Sequence, residues 1–185
     1  AIELTAEDPN YEEMVFKFIE HFYFIASAIN KPGDDGMWDE EDGFYYDLLR
    51  LPDGSGQRLK VRSMVGLLPL CATTVIEEWQ RERIPRIMPS IQERLRRMPE
   101  LRATIHPTGE VYFGVAKRGI LALLSPDRLR RILTKMLDEN EFLGPYGIRS
   151  LSRYHLEHPF KFWVGHQEYA VHYLPAESNT GMFGG

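Results

Sequence analysis

Cysteine is nearly absent from this chain of 185 residues: Cys71 is the single one, so no internal disulfide can form. It lies in the apolar run Leu67-Leu68-Pro69-Leu70-Cys71-Ala72, with no polar activating residue beside it, which predicts a buried structural thiol and not a nucleophile. No uninterrupted apolar stretch reaches membrane length, and no leader-like segment is present, so the expected compartment is cytoplasmic and no membrane partner is expected. An excess of positive charge is also missing. The net charge of −5 argues against a nucleic-acid partner, which favours a basic surface. An initiator Met is lacking too, which fits excision from a longer protein and fits processing equally well.

The totals suit one ordinary globular segment, 1–185, with 43% hydrophobic and 26% charged residues. Asp8-Pro9 reads as a helix start, with Asp8 as the cap and Glu12 and Glu13 complementing the positive end of the dipole. The following helix carries two apolar stripes. One runs through Tyr11, Met14, Val15, Phe18, Phe22, Ile25 and Ile29, the other through Phe16, Ile19, Tyr23 and Ala26, which predicts a helix sandwiched between neighbours. Asn30-Lys31-Pro32-Gly33 ends it.

Phe44–Leu49 and Leu59–Val61 are strand-like runs around Pro52-Asp53-Gly54-Ser55-Gly56, a hairpin pattern. Helical patterning is expected again from about Ser63 to Gln80, from Pro85 to Met98, and after Ser125-Pro126 with the stripe Leu129, Ile132, Leu133, Met136 and Leu137. Val111-Tyr112-Phe113 is a candidate short strand. Beyond Glu141 the Gly, Pro, His and aromatic content predicts long ordered loops. The expected fold is therefore mainly α, with one β-hairpin.

The densest chemistry lies in Trp38-Asp39-Glu40-Glu41-Asp42-Gly43-Phe44-Tyr45-Tyr46-Asp47, where aromatic and acidic residues interleave. Rings stack on pyranose faces and carboxylates hold hydroxyls, so this mixture suits a sugar site. A second notable run is Gly144-Pro145-Tyr146-Gly147-Ile148-Arg149-Ser150-Leu151-Ser152-Arg153-Tyr154, and a third is Glu177-Ser178-Asn179-Thr180-Gly181-Met182-Phe183-Gly184-Gly185. Together, these segments resemble the catalytic domain of glycoside hydrolase family 63, which contains the processing mannosyl-oligosaccharide glucosidases and their bacterial relatives. The resemblance runs from about Tyr11 to Gly185.

That resemblance implies a double ring of six inner and six outer helices. Twelve helices of about 12 residues with loops of about 5 need on the order of 200 residues before insertions. The chain would supply an incomplete (α/α)6 toroid, one segment of a larger domain. The implied activity is inverting hydrolysis of α-glucosides or related oligosaccharides, without metal or organic cofactor. Both catalytic carboxylates would lie outside these residues, leaving the chain inactive alone. By the same resemblance, Trp38, Tyr45, Tyr46, Arg149, Arg153, Tyr154 and Phe183 would shape the sugar subsites, Arg149 either as a donor fork to hydroxyls or as a tie between loops.

Other constellations are thin. His155 and His158 have a His-x-x-His spacing, but Pro159 disfavours a regular helix and no third ligand is indicated, so no metal site is expected. Arg81, Arg83, Arg86, Arg94, Arg96, Arg97 and Arg102 alternate with Glu77, Glu78, Glu82, Glu93 and Glu100, the pattern of a solvated, salt-bridged face. The competing reading is a stand-alone helical protein-interaction module. A segment of a larger domain would instead expose apolar surface and self-associate.

Overall fold

The computed structural model describes residues 1–99 and 114–175. The chain divides into two compact units, the first made of Ala1–Gly36 with Ala72–Ser125, the second of Met37–Cys71 with Pro126–Gly185.

In the first unit, Asp8 Oδ1 accepts the Asn10 N–H at 2.9 Å and starts the single turn Pro9–Tyr11, from which helix α1 (Glu12–Ile29) continues. Val15, Ile19, Tyr23 and Ala26 form its buried row, packed with Ile84, Leu123, and Ile91 and Leu95 of helix α3 (Ile87–Arg97). Burial pushes the Tyr23 hydroxyl up to about 12. Asn30 closes α1 by donating from Nδ2 to Ala26 O at 3.0 Å and to Leu123 O at 2.8 Å, pinning the helix end to a distant part of the chain. The short helix α2 (Glu78–Arg83) begins with the Gln80 side chain folded back onto the Glu77 N–H at 2.9 Å.

The second unit is built from short antiparallel ribbons around helix α4 (Pro126–Met136). Strand β1 (Trp38–Asp39) pairs with β2 (Phe44–Tyr45), and β3 (Asp47–Arg50) with β4 (Gly56–Leu59). Further on, β7 (Leu143–Gly144) pairs with β8 (Gly147–Ile148), and β9 (Phe160–Val164) with β10 (Gln167–Val171). Phe44, Phe142, Ile132 and Leu151 are all but sealed from solvent, and the Phe44 and Phe142 rings stack at 5.5 Å.

These elements overturn the mainly α, partial-toroid expectation. Among the described residues there are five two-stranded antiparallel sheets, and the helices do not alternate as the paired hairpins of a double ring would. Two stretches account for the difference. The expected helix from Ser63 to Gln80 is a 3-10 segment (Met64–Cys71) containing Pro69, then strand β5 (Thr73–Ile76), then α2. Pro69 cannot donate to a regular ladder, and Thr73-Thr74-Val75-Ile76 is β-branched throughout, so it pairs with β6 (Gly119–Ala122) instead. The expected loops beyond Glu141 are two hairpins. Gly165, at φ +60, turns the Phe160–Val171 ribbon in a conformation that side chains other than glycine resist.

Cys71 is likewise exposed, not buried, because the 3-10 segment turns only Gly66 and Leu67 inward. The first helix buries Ile19, Tyr23 and Ala26 of its second stripe together with Val15, and Phe16 is half-buried beside them. On its other stripe Met14, Phe18 and Ile25 stand 44%, 55% and 55% exposed. The Val111–Phe113 strand expectation lies outside the described residues. Among the described residues, no helix is long and apolar enough to cross a membrane.

Candidate functional site

The turn between β1 and β2 is set by its own polar groups. Asp39 Oδ1 accepts the Asp42 N–H at 2.9 Å, Asp39 O accepts the Gly43 N–H at 2.9 Å, and Gly43 adopts φ +64. Asp39 and Asp42 therefore face one way, towards Lys60, whose ammonium lies 3.0 Å from Asp39 and 3.3 Å from Asp42. Partial burial opposes ionisation of both carboxyls. The Asp42 N–H and Lys60 nevertheless hold Asp39 below the usual carboxylate range, and the Tyr46 hydroxyl, Arg62 and Lys60 do the same for Asp42.

Arg62 is the centre of the unit's polar chemistry. Its Nη1 meets Glu141 at 2.5 Å, its Nη2 meets Asp42 at 3.0 Å, and its Nε donates to the Tyr46 hydroxyl at 3.3 Å, which in turn donates to Asp42 at 2.9 Å. The guanidinium carbon sits 3.8 Å from the centroid of the Tyr154 ring, on which the His158 imidazole also stacks at 4.4 Å. Glu141 spends its second oxygen on the Ser152 hydroxyl. Backbone pairing fastens the same place: Ser152 N–H donates to Arg62 O at 2.8 Å, and Met64 N–H to Ser150 O at 2.7 Å.

His155 is buried beneath this cluster. Its Nε2 accepts the Arg62 N–H at 2.8 Å, and its Nδ1 faces His158 O at 2.8 Å. An acceptor at Nε2 and a donor at Nδ1 together define one neutral tautomer. Burial drives its pKa below the ordinary histidine value, the nearby Arg62 charge adding to the effect against the His158 carbonyl. With both ring nitrogens engaged, His155 has none left for a metal ion.

The structure thus joins two of the segments singled out in the sequence. Asp42 and Tyr46 of the acidic-aromatic run and Ser152 and Tyr154 of the second run meet through Arg62 and Glu141. Neither connecting residue was among the sequence candidates. The available signal was a basic residue in the short stretch Val61-Arg62-Ser63, just after a strand, where a buried cation demands carboxylates from elsewhere.

The other sequence candidates take varied places. Trp38 is buried, donates from Nε1 to Glu40 at 2.7 Å, packs edge-on against Tyr45 at 4.8 Å, and lies near the Arg128 and Arg131 guanidiniums at 4.6 and 5.4 Å. Tyr45 and Tyr46 are buried as well, so these three rings shape the loop from within. Glu40 is paired with Arg131 at 3.0 Å while staying largely exposed. Arg149 Nη1 faces the carbonyl oxygens of Glu139, Glu141 and Leu143 at 2.9, 3.3 and 2.5 Å, the geometry of a tie between loops. Arg153 is exposed and Tyr154 half-buried, and Phe183 lies outside the described residues. Tyr146, at the tip of the β7–β8 hairpin, is wholly exposed.

No model of a known protein family matches the chain, and no solved structure matches it. Over an alignment of 198 residues the chain is 40% identical to the uncharacterized protein YMR196W of Saccharomyces cerevisiae. That alignment takes in the whole of this chain and 18% of the yeast protein, so the chain spans less than a fifth of the relative's length.

Proposed function

We propose that this chain is a segment of a glycoside hydrolase acting on α-glucosides or related oligosaccharides, and that its second unit builds part of the sugar-binding loops. One observation carries the reading. The two runs that resemble family 63, 38–47 and 144–154, are distant in sequence yet are locked together by the Arg62–Asp42–Glu141–Ser152 network. Such a network fixes loop geometry, which sugar recognition requires because each hydroxyl must meet its partner within hydrogen-bond distance. Arg153 is the candidate left exposed to a ligand, Tyr154 being half-buried with its ring against Arg62 and His158, while Trp38, Tyr45 and Tyr46 are buried.

The chemistry of the carboxylates fits a supporting role. Inverting hydrolysis needs one carboxyl that stays protonated to donate to the leaving oxygen, and another that activates water. Asp39 and Asp42 are held ionised by Lys60 and Arg62, the wrong state for a general acid. By the family 63 resemblance, the acid and base lie outside these residues, which would leave the chain without hydrolytic activity by itself. Against the interaction-module reading stands the exposed apolar stripe on α1, which a self-sufficient module would keep covered.

The test uses the full-length yeast relative, which contains the whole matching segment, with a panel of α-linked glucosides. Glucose release is the expected result. Absence of hydrolysis across the panel would remove the proposed reaction.

A further inference from the structure

Helix α1 has more apolar surface than its own unit covers. At 3.6 residues per turn, the buried row Val15, Ile19, Tyr23 and Ala26 spans about 80° of the helix circumference, and Met14, Phe18 and Ile25 fall within about 40° of one another on a neighbouring arc. All three are large, and 44%, 55% and 55% of their surfaces are exposed. From Met14 to Ile25 the stripe runs roughly 16 Å along the axis. Phe22 and Ile29 lie beside it, already packed against the core, so the stripe continues an existing apolar layer instead of standing as an island.

We infer that this stripe is an internal packing surface, covered by the apolar face of a helix from the same, longer polypeptide. A helix is the occupant that suits a straight stripe three turns long, with side chains interdigitating along the axis. The same polypeptide is the source because the yeast relative, aligned over the whole of this chain, devotes more than four-fifths of its length to other residues. By the same helical spacing the exposed Lys17 and His21 lie along one edge of the stripe, so the covering face is apolar at its centre and polar along that side. This inference stands apart from the sugar-binding reading, since it concerns the first unit alone.

The experiment is performed on the full-length yeast protein. The yeast residues aligned with Phe18 and Ile25 are replaced by cysteine one at a time, and maleimide labelling is followed in native and urea-denatured protein at two concentrations a hundredfold apart. The expected result is labelling at least tenfold slower in the native state at both positions, unchanged by dilution. Native labelling at the denatured rate would mean a solvent face and would overturn the inference. Protection that disappears on dilution would overturn it too, because a second copy would then be the cover. Carbene footprinting of the unsubstituted protein gives the same readout if a cysteine variant does not fold: low modification of the α1 stripe is expected, and heavy modification contradicts the proposal.

Discussion

The imidazole Nε2 of His155 accepts the backbone N–H of Arg62 at 2.8 Å, although 93 residues separate the two in sequence. That bond requires an unprotonated Nε2, and His158 O occupies the other side of the ring. Arg62, Glu141, His158 and Tyr154 are charged or titratable groups around it. Protonation would turn the acceptor into a donor aimed at another donor.

A pH dependence follows. His155 has a folded-state pKa below its ordinary 6.5, so its contribution to stability is fully present above pH 6.5 and is lost as the pH falls from there through the folded value. Asp39 and Asp42 also have depressed values, so they act in the same direction in a lower window, below the ordinary carboxylate value of 3.8. Urea unfolding between pH 7.5 and 5 should show declining stability, and His155→Gln, which offers a carbonyl that never titrates, should flatten the decline. An unchanged slope in the variant would assign the effect elsewhere.

Arg62 should be the most costly polar residue to remove in the second unit. Arg62→Met leaves Glu141 buried with its strongest partner gone, a loss of about 3–5 kcal/mol. Arg62→Lys keeps a charge but not the fork that meets Glu141, Asp42 and Tyr46 at once, so it should fall between the variant and the parent. Denaturant titrations measure both. A loss below about 1 kcal/mol for Arg62→Met would show that the network contributes little.

Much of the local structure was legible in the residues. The Asp8-Pro9 start, the turn near Pro52–Gly56 and the α4 start after Ser125-Pro126 are each present, although the hairpin's strands are Asp47–Arg50 and Gly56–Leu59 and Phe44–Tyr45 pairs with Trp38–Asp39 instead. The toroid expectation failed because an apolar run such as Leu67–Ile76 has no unambiguous period, and the choice between helix and strand fell to Pro69 and to pairing with β6 some 45 residues on. The site was half legible. Its aromatic and acidic members announce themselves by composition, but Arg62 gains its role only from carboxylates that the fold delivers from elsewhere in the chain.

Gly66 should tolerate no side chain. A β-carbon there would overlap the Phe44 ring and the Tyr45 carbonyl oxygen, and backbone cannot swing aside as a flexible side chain does. Gly66→Ala is expected to cost about 1–3 kcal/mol by overpacking. A neutral effect in thermal or urea unfolding would mean that the 3-10 segment Met64–Cys71 shifts freely against β2.

Cys71 should react in the native state. It is exposed, so one equivalent of maleimide should couple without denaturant. Coupling that appears only after unfolding would restore the buried thiol that its apolar neighbours suggested.

The proposed reaction is tested most directly by following the product anomer. The full-length yeast relative is incubated with an α-glucoside in deuterated buffer, and the anomeric proton of released glucose is recorded by NMR from the first minutes. The account predicts β-glucose first, with the α-anomer growing in by mutarotation, as inversion at the anomeric carbon demands. Release of α-glucose first would contradict the inverting mechanism, and no release at all would contradict the glycosidase reading itself.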